Sequence, residues 1–469
     1  MTDVLTPAQR IAVVDPATTQ TLGHVALASR EDCTRAVAAA DGAFASWSAV
    51  PVVERARLMM RYADALERRH EDLATSVSRE NGKTIADARA EVRRGIEAVE
   101  FACGMPSLMM GDALPDVARG VDSYSFRKPL GVCVGITPFN FPAMIPLWMF
   151  PLALAAGNTF VLKPSPQTPL TSDMLAEIAR ECRFPDGILN VVHGEVAAVE
   201  ALIDDPRVQA VSFVGSSAVA RVIQERAVAS HKRVQALGGA KNFLVVMPDG
   251  VTQPTIDAIM SSAFGGAGQR CLAGSVAIAV GNAADALVPK VVEAAKALRL
   301  GPGVDPGVDM GPVISAASRE RVAKYVERAV AAGARLLLDG REAPRTGSFV
   351  APTVFDVSDT ASELVTDEIF GPVLAIVRAR TLGDAIDLAN SSRYGNASSI
   401  FTGDGGAARE FASRIETGMI GVNIGVAAPM AFFPFGGIKD SIYGDLRCHG
   451  KDAVAFYTQQ RVVISRWPT

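Results

Sequence analysis

The chain has 469 residues, 49% of them hydrophobic and 20% charged, and a net charge of −4. That length predicts two or more domains, and the charge offers no general attraction to nucleic acid or anionic membranes. Cys33, Cys103, Cys133, Cys182, Cys271 and Cys448 form no C-x-x-C pair, so neither a zinc site nor a disulfide framework is suggested, and a reducing compartment is expected.

Residues 1–14 carry Asp3 and no apolar core, unlike a signal peptide. Residues 11–28 read as short strands around a turn at Asp15-Pro16-Ala17-Thr18. Leu58, Tyr62, Leu66, Leu73 and Val77 then recur near helical spacing, and Asn81-Gly82 is a helix stop. A further helix is predicted over 85–105. Glu91, Arg94 and Ala98 share one of its faces, being three and four residues apart. Taken alone, Arg94 reads as a solvated surface charge. The most apolar run, 141–157, holds Pro142, Pro146 and Pro151 and is short for a bilayer span, so a buried turn and helix is expected.

From Gly131 short apolar strands alternate with helices. Strands are predicted at 132–136, 159–163, 188–192, 208–214, 234–237 and 243–247, and Thr171 or Ser172 is a candidate helix cap. This alternation predicts a parallel sheet with ligands at the carboxyl ends of its strands. Lys163, Gly194, Gly215 and Ser216 fall at such ends. Gly215-Ser216-Ser217 offers main-chain amides at a helix N-terminus, a seat for phosphate, although no G-x-G-x-x-G fingerprint is present. A second α/β unit follows residue 271, with strands at 275–280, 336–338 and 373–377 and a helix over 315–332. The tail, 456–467, is apolar and strand-like, an edge that suggests oligomerisation.

Between the two units lies Gly265-Gly266-Ala267-Gly268-Gln269-Arg270-Cys271-Leu272-Ala273-Gly274. Glycines there permit positive φ and close ligand approach. On these ten residues Cys271 reads either as an exposed nucleophile or as a sulfur packed in a turn.

Four features belong together: Thr137-Pro138-Phe139-Asn140-Phe141-Pro142, Lys163, Gly268-Gln269-Arg270-Cys271 and Glu368-Ile369-Phe370-Gly371-Pro372. In this order and at these separations the chain resembles the aldehyde dehydrogenase superfamily over nearly its whole length. The resemblance implies an α/β fold of two Rossmann-like parallel-sheet domains plus a small β oligomerisation flap. It implies an NAD-binding domain over 1–107 and 130–237, a catalytic domain over 238–440, and an oligomerisation segment over 108–129 and 441–469. Cys271 matches the nucleophile that forms a thiohemiacetal and then a thioester. The Asn140 amide and the Cys271 N–H match the oxyanion hole. Lys163 matches the adenosine-ribose contact, Ser216 the pyrophosphate contact, and Glu368 the nicotinamide-ribose contact beside Phe370. Thr137, Phe139, Pro166, Gln167, Gly194, Gly215 and Gly238 complete the implied cofactor set, and no metal is implied.

Hydrolytic members of that superfamily carry a glutamate base just before Leu-Gly-Gly. Here Ala236 precedes Leu237-Gly238-Gly239 and cannot take a proton from water. That segment resembles the branch that acylates coenzyme A, the methylmalonate-semialdehyde dehydrogenases. So do 423–435, Gly444-Asp445-Leu446, Gly450-Lys451-Asp452, Phe456-Tyr457-Thr458 and Trp467. The resemblance implies oxidation of malonate or methylmalonate semialdehyde, loss of carbon dioxide and acyl transfer to coenzyme A. It implies that Arg94 and Arg270 grip the substrate carboxylate, with Arg93 as the register alternative to Arg94. Arg270 is also expected to lower the Cys271 pKa. A homodimer or homotetramer in the cytoplasm, with no nucleic-acid or membrane partner, is the accompanying expectation.

The chain departs from the branch at Lys163-Pro164-Ser165-Pro166, where the family usually has a glutamate after the serine. Pro166 cannot hydrogen-bond the ribose, so weaker NAD binding or tolerance of NADP is expected. Phe243 replaces a usual histidine, and Ala273-Gly274-Ser275 and Gly436-Gly437-Ile438 also differ, which marks a divergent member. Two alternatives remain: a hydrolytic NAD(P)-dependent enzyme releasing a free acid, and a catalytically silent binding or structural protein on the same fold.

Overall fold

The computed structural model describes residues 9–344 and 346–467. Strands Val132–Ile136 and Thr159–Lys163 are buried at every position, as expected of central parallel strands covered on both faces. They sit in a six-stranded sheet ordered Ile442–Tyr443, Arg233–Leu237, Val208–Val214, Val132–Ile136, Thr159–Lys163, Leu189–Val191. All neighbours are parallel except Ile442–Tyr443, which is antiparallel to Arg233–Leu237. The apolar run becomes helix Met144–Ala156, in which every residue from Ile145 is buried. It ends at Gly157, whose φ of 101° is the left-handed cap that glycine supplies.

The second sheet has seven strands: Arg335–Leu338, Thr353–Asp356, Val373–Ala379, Gly274–Val280, Asn242–Val246, Ala397–Phe401 and Met419–Val422. Its first strand alone runs antiparallel. The chain passes from Leu237, in the first sheet, to Asn242, in the second, through four buried residues. The active-site segments gather at this crossing.

The tail divides. Residues 450–456 are helical and pack on helix Met144–Ala156, while Thr458–Arg466 pairs antiparallel with Val121–Pro129. With Ala113–Ala118 they make a three-stranded flap in which the tail is one of the two outer strands. Ile442–Tyr443 extends the first sheet, so part of the 441–469 segment packs with the first domain. Among the described residues no single helix is long and apolar enough to cross a membrane.

One local expectation changes. Helix Leu170–Glu181 starts before Thr171 and Ser172, with Pro169 at its N-cap, so neither residue caps it. Its first amides, from Leu170 and Thr171, donate instead to the Glu80 carboxylate at 2.8 and 3.0 Å. An acceptor from a distant helix serves where a local side chain was expected.

Candidate active site

Helix Gln253–Phe264 leads into a tight turn in which Gly266, Ala267 and Gly268 all have left-handed φ, at 58°, 53° and 70°. A Cβ on Gly268 would lie 2.2 Å from the Gly371 carbonyl oxygen, so only glycine allows this close approach. The turn is thereby docked on the Glu368–Pro372 stretch. Gln269, also buried, accepts from the Ile314 amide at 3.0 Å. The Cys271 carbonyl accepts from the side-chain amides of Asn242 at 2.9 Å and Asn396 at 2.8 Å. Cys271 is thus fixed by the first residue of strand Asn242–Val246 and by the residue just before strand Ala397–Phe401.

The Cys271 thiol opens onto a cavity of about 360 Å³. Helix Ile85–Cys103 supplies one wall and presents Asp87, Glu91 and Arg94 to it. The Arg94 guanidinium donates to the Ala428 carbonyl at 2.9 Å and pairs with Glu97 at 3.3 Å. Arg93 points elsewhere and pairs with Glu67 at 2.9 Å and Glu100 at 2.5 Å. Of the two arginines, Arg94 therefore lines the cavity. Arg270 stands beside the thiol and pairs with Asp87 at 2.8 Å.

Asn140 is 5% exposed, and its Nδ2 donates to the Gln269 carbonyl at 3.0 Å, placing its amide against the cysteine turn. Its own carbonyl accepts from the buried Lys83 ammonium at 2.7 Å. Lys83 also pairs with Glu91 at 2.5 Å, and Glu91 accepts from the amides of Ala143 and Met144 at 2.9 and 3.2 Å. The two buried charges compensate each other and pin the start of helix Met144–Ala156 beside the site.

The thiol opens onto the cavity, yet the surrounding protein strips most water from it. That desolvation, with the nearby Glu368 carboxylate second, pushes Cys271 up to about 12. The amides of Cys271 and Leu272 and the Arg270 charge pull the other way and lose. Arg270 thus lowers the thiol pKa as expected, but burial and Glu368 outweigh it, and its charge is shared with Asp87. Burial likewise pushes Glu368 up to about 7, although it accepts from the Ala240 amide at 2.9 Å. A Cβ on Gly239 would meet the same carboxylate at 2.4 Å.

A model of the aldehyde dehydrogenase family matches residues 5–463. The chain belongs to the aldehyde dehydrogenase family. Malonate-semialdehyde dehydrogenase 2 of Geobacillus kaustophilus (strain HTA426) is 50% identical to it over 459 residues, covering 97% of this chain and 95% of that one. The crystal structure of methylmalonate-semialdehyde dehydrogenase from Oceanimonas doudoroffii matches with a TM-score of 0.97 at 45% identity, over 99% of this chain and 96% of that one. A Sinorhizobium meliloti 1021 protein solved with NAD matches with a TM-score of 0.97 at 42% identity, over 99% of this chain and 96% of that one.

In this aldehyde dehydrogenase the residues expected at the cofactor fall into two groups. At the first sheet's carboxyl edge, the buried Lys163 donates to the Gly194 carbonyl at 2.8 Å, and burial pushes it down to about 8. The Thr137 amide donates to the Lys163 carbonyl at 3.1 Å, and Pro166 and Gln167 follow in the same turn. Gly215 and the exposed Ser216 precede helix Ser217–Ala229. In the second group, Phe139 meets Phe370 edge-on at 5.9 Å, and the Gly238 amide donates to the Ser441 carbonyl. Sequence reasoning missed Lys83, Asp87, Asn396 and His449. Asp87 alone had a signal, lying four and seven residues before Glu91 and Arg94 on one helix face.

Proposed function

We propose that this aldehyde dehydrogenase oxidises malonate semialdehyde or its methyl homologue with NAD and passes the acyl group to coenzyme A. One observation carries the reading: the Cys271 thiol shares a single cavity with two guanidinium groups, Arg94 and Arg270. A thiol is the nucleophile for an aldehyde, and paired arginines suit a distal carboxylate. The names of the closely similar relatives point the same way.

The Cys271 sulfur, once deprotonated, adds to the aldehyde carbon to give a thiohemiacetal. The Asn140 amide and the Cys271 N–H hold the resulting oxyanion, at roughly 3–4 kcal/mol per donor. NAD, when bound, supplies the hydride acceptor that leaves a thioester on Cys271. Lys163, Gly194, Gly215, Ser216, Glu368 and Phe370, with Thr137, Phe139, Pro166, Gln167 and Gly238, would hold it. The buried Thr137 hydroxyl, which has no partner, fits a site awaiting a polar ligand. The β-carboxylate of the acyl group leaves as carbon dioxide, its electron pair passing to the α-carbon, which takes a proton. The coenzyme A thiol then displaces Cys271.

Ala236 supports transfer over hydrolysis. It is buried in strand Arg233–Leu237, paired with Phe213 and Tyr443, and brings no carboxylate to water. The test is to mix the protein with malonate semialdehyde and NAD, with and without coenzyme A. Acetyl-CoA, released carbon dioxide and coenzyme-A-dependent turnover are expected. Free acid at an unchanged rate without coenzyme A would replace this reading with the hydrolytic one. Pro166 leaves room for NADP, and Pro166→Glu should favour NAD over NADP. The exposed Val462 and Ile464 of the flap support a homodimer or homotetramer.

A further inference from the structure

His449 closes the cavity on the side facing Trp148. It is 4% exposed, and neither ring nitrogen has a hydrogen-bond partner. Its ring stands edge-on to Trp148 with centroids 4.3 Å apart, and Phe435 lies at 5.7 Å. Its φ of 69° and ψ of 172° lie in a region that glycine favours, a strained conformation just before helix Gly450–Phe456. Among the described residues lining this cavity, His449 is the one whose side-chain polar atoms are buried and unpartnered.

The cations around it are engaged. Arg94 pairs with Glu97, Arg270 with Asp87 and Lys83 with Glu91. Burial pushes the imidazole down to about 3, and the positive charge of Arg94 adds to the effect. The ring is therefore neutral near pH 7, with one N–H to donate. The aromatic wall offers that donor at best a weak π-face, so a carboxylate entering the cavity is the stronger acceptor.

We propose that His449 is a further binding residue of this enzyme, donating a ring N–H to the distal carboxylate of the substrate. The two arginines supply the charge; the imidazole supplies a donor that no protein carboxylate already holds. This inference rests on the reading that the substrate carries such a carboxylate.

The test uses the full-length enzyme and His449→Asn, whose shorter side chain withdraws the ring N–H while both residues meet the same strained backbone, at φ 69° and ψ 172°. With NAD and coenzyme A saturating, KM for malonate semialdehyde should rise by roughly tenfold or more, and KM for propionaldehyde should change by less than about twofold. A purely structural role would move both substrates together, and equal changes, or none, would overturn the proposal while leaving the earlier reading intact. A wild-type enzyme without preference for malonate semialdehyde would instead overturn the earlier reading, and this one with it. A second readout avoids turnover. With 13C-labelled histidine, the resonance absent from His449→Asn identifies His449 among the five histidines. It should shift when 3-hydroxypropionate is added and stay in place with 1-propanol. No shift, or the same shift with both, rejects direct contact.

Discussion

The Lys83 ammonium donates to the main-chain carbonyl of Asn140 at 2.7 Å. This one bond ties the proposed oxyanion donor to a buried ion pair in the cavity wall. Lys83→Met should strand Glu91 and destabilise the protein by about 3–5 kcal/mol. It should also lower kcat by roughly tenfold or more, because Asn140 loses its anchor. Lys83→Met/Glu91→Gln, which keeps a neutral acceptor for Ala143 and Met144, should regain much of the stability and none of the rate. Thermal unfolding and steady-state kinetics separate the two; recovery of both would free Asn140 from Lys83.

Cys271, pushed up to about 12, is a protonated thiol at neutral pH in the cofactor-free protein. Thiolate is the form that reacts, so iodoacetamide alkylation should climb steadily from pH 7 to pH 10 without a plateau. Removing the Glu368 charge should lower the thiol pKa and speed alkylation at a given pH, so Glu368→Gln should react faster than wild type. Cys271→Ala should abolish dehydrogenation while leaving NAD binding, followed by fluorescence titration, largely intact. A plateau near pH 8 would show that the thiol is activated before cofactor arrives.

Arg94→Leu should raise KM for a carboxylated semialdehyde by about ten- to hundredfold, the worth of a charged hydrogen bond, and leave propionaldehyde nearly unaffected. Arg93→Leu, altering an outward-facing group, should leave both KM values unchanged. Equal effects of Arg94→Leu on both aldehydes would remove it from the carboxylate site.

Glu80 should make stability depend on pH. Burial pushes it from 4.5 to about 7, so the folded protein keeps a proton that the unfolded chain releases between those values. Stability from this group is therefore full below pH 4.5 and is lost as pH rises toward 7, by up to about 3 kcal/mol. Glu80→Gln removes the titration, and wild type should gain on it in Tm as pH falls from 7 to 5. Parallel Tm curves would mean that Glu80 stays ionised in the fold.

Local sequence carried the elements whose causes are local. Val132–Ile136 and Thr159–Lys163 are short unbroken apolar runs, and a strand buried on both faces needs no more. Cys271 was marked by the glycines around it. Periodicity placed Arg93 and Arg94 on adjacent faces, and packing chose between them. The rest depended on distant partners. Glu80 anchors a helix start 90 residues later, and Lys83 reaches a carbonyl 57 residues later. The net Cys271 pKa was hidden for the same reason: Arg270, its neighbour in sequence, lowers it as expected, whereas Glu368 and the enclosing walls, neighbours in space, raise it further.

The cavity is finished by Ala431, Phe435 and His449, and Arg94 is held by carbonyls at 428 and 429. These residues leave the ribosome long after Cys271. During synthesis the thiol is therefore made before the C-terminal part of its wall, which runs from Val426 to His449. A truncated chain would carry the nucleophile without the chamber that gives it selectivity. The cavity is complete only once the chain has reached His449.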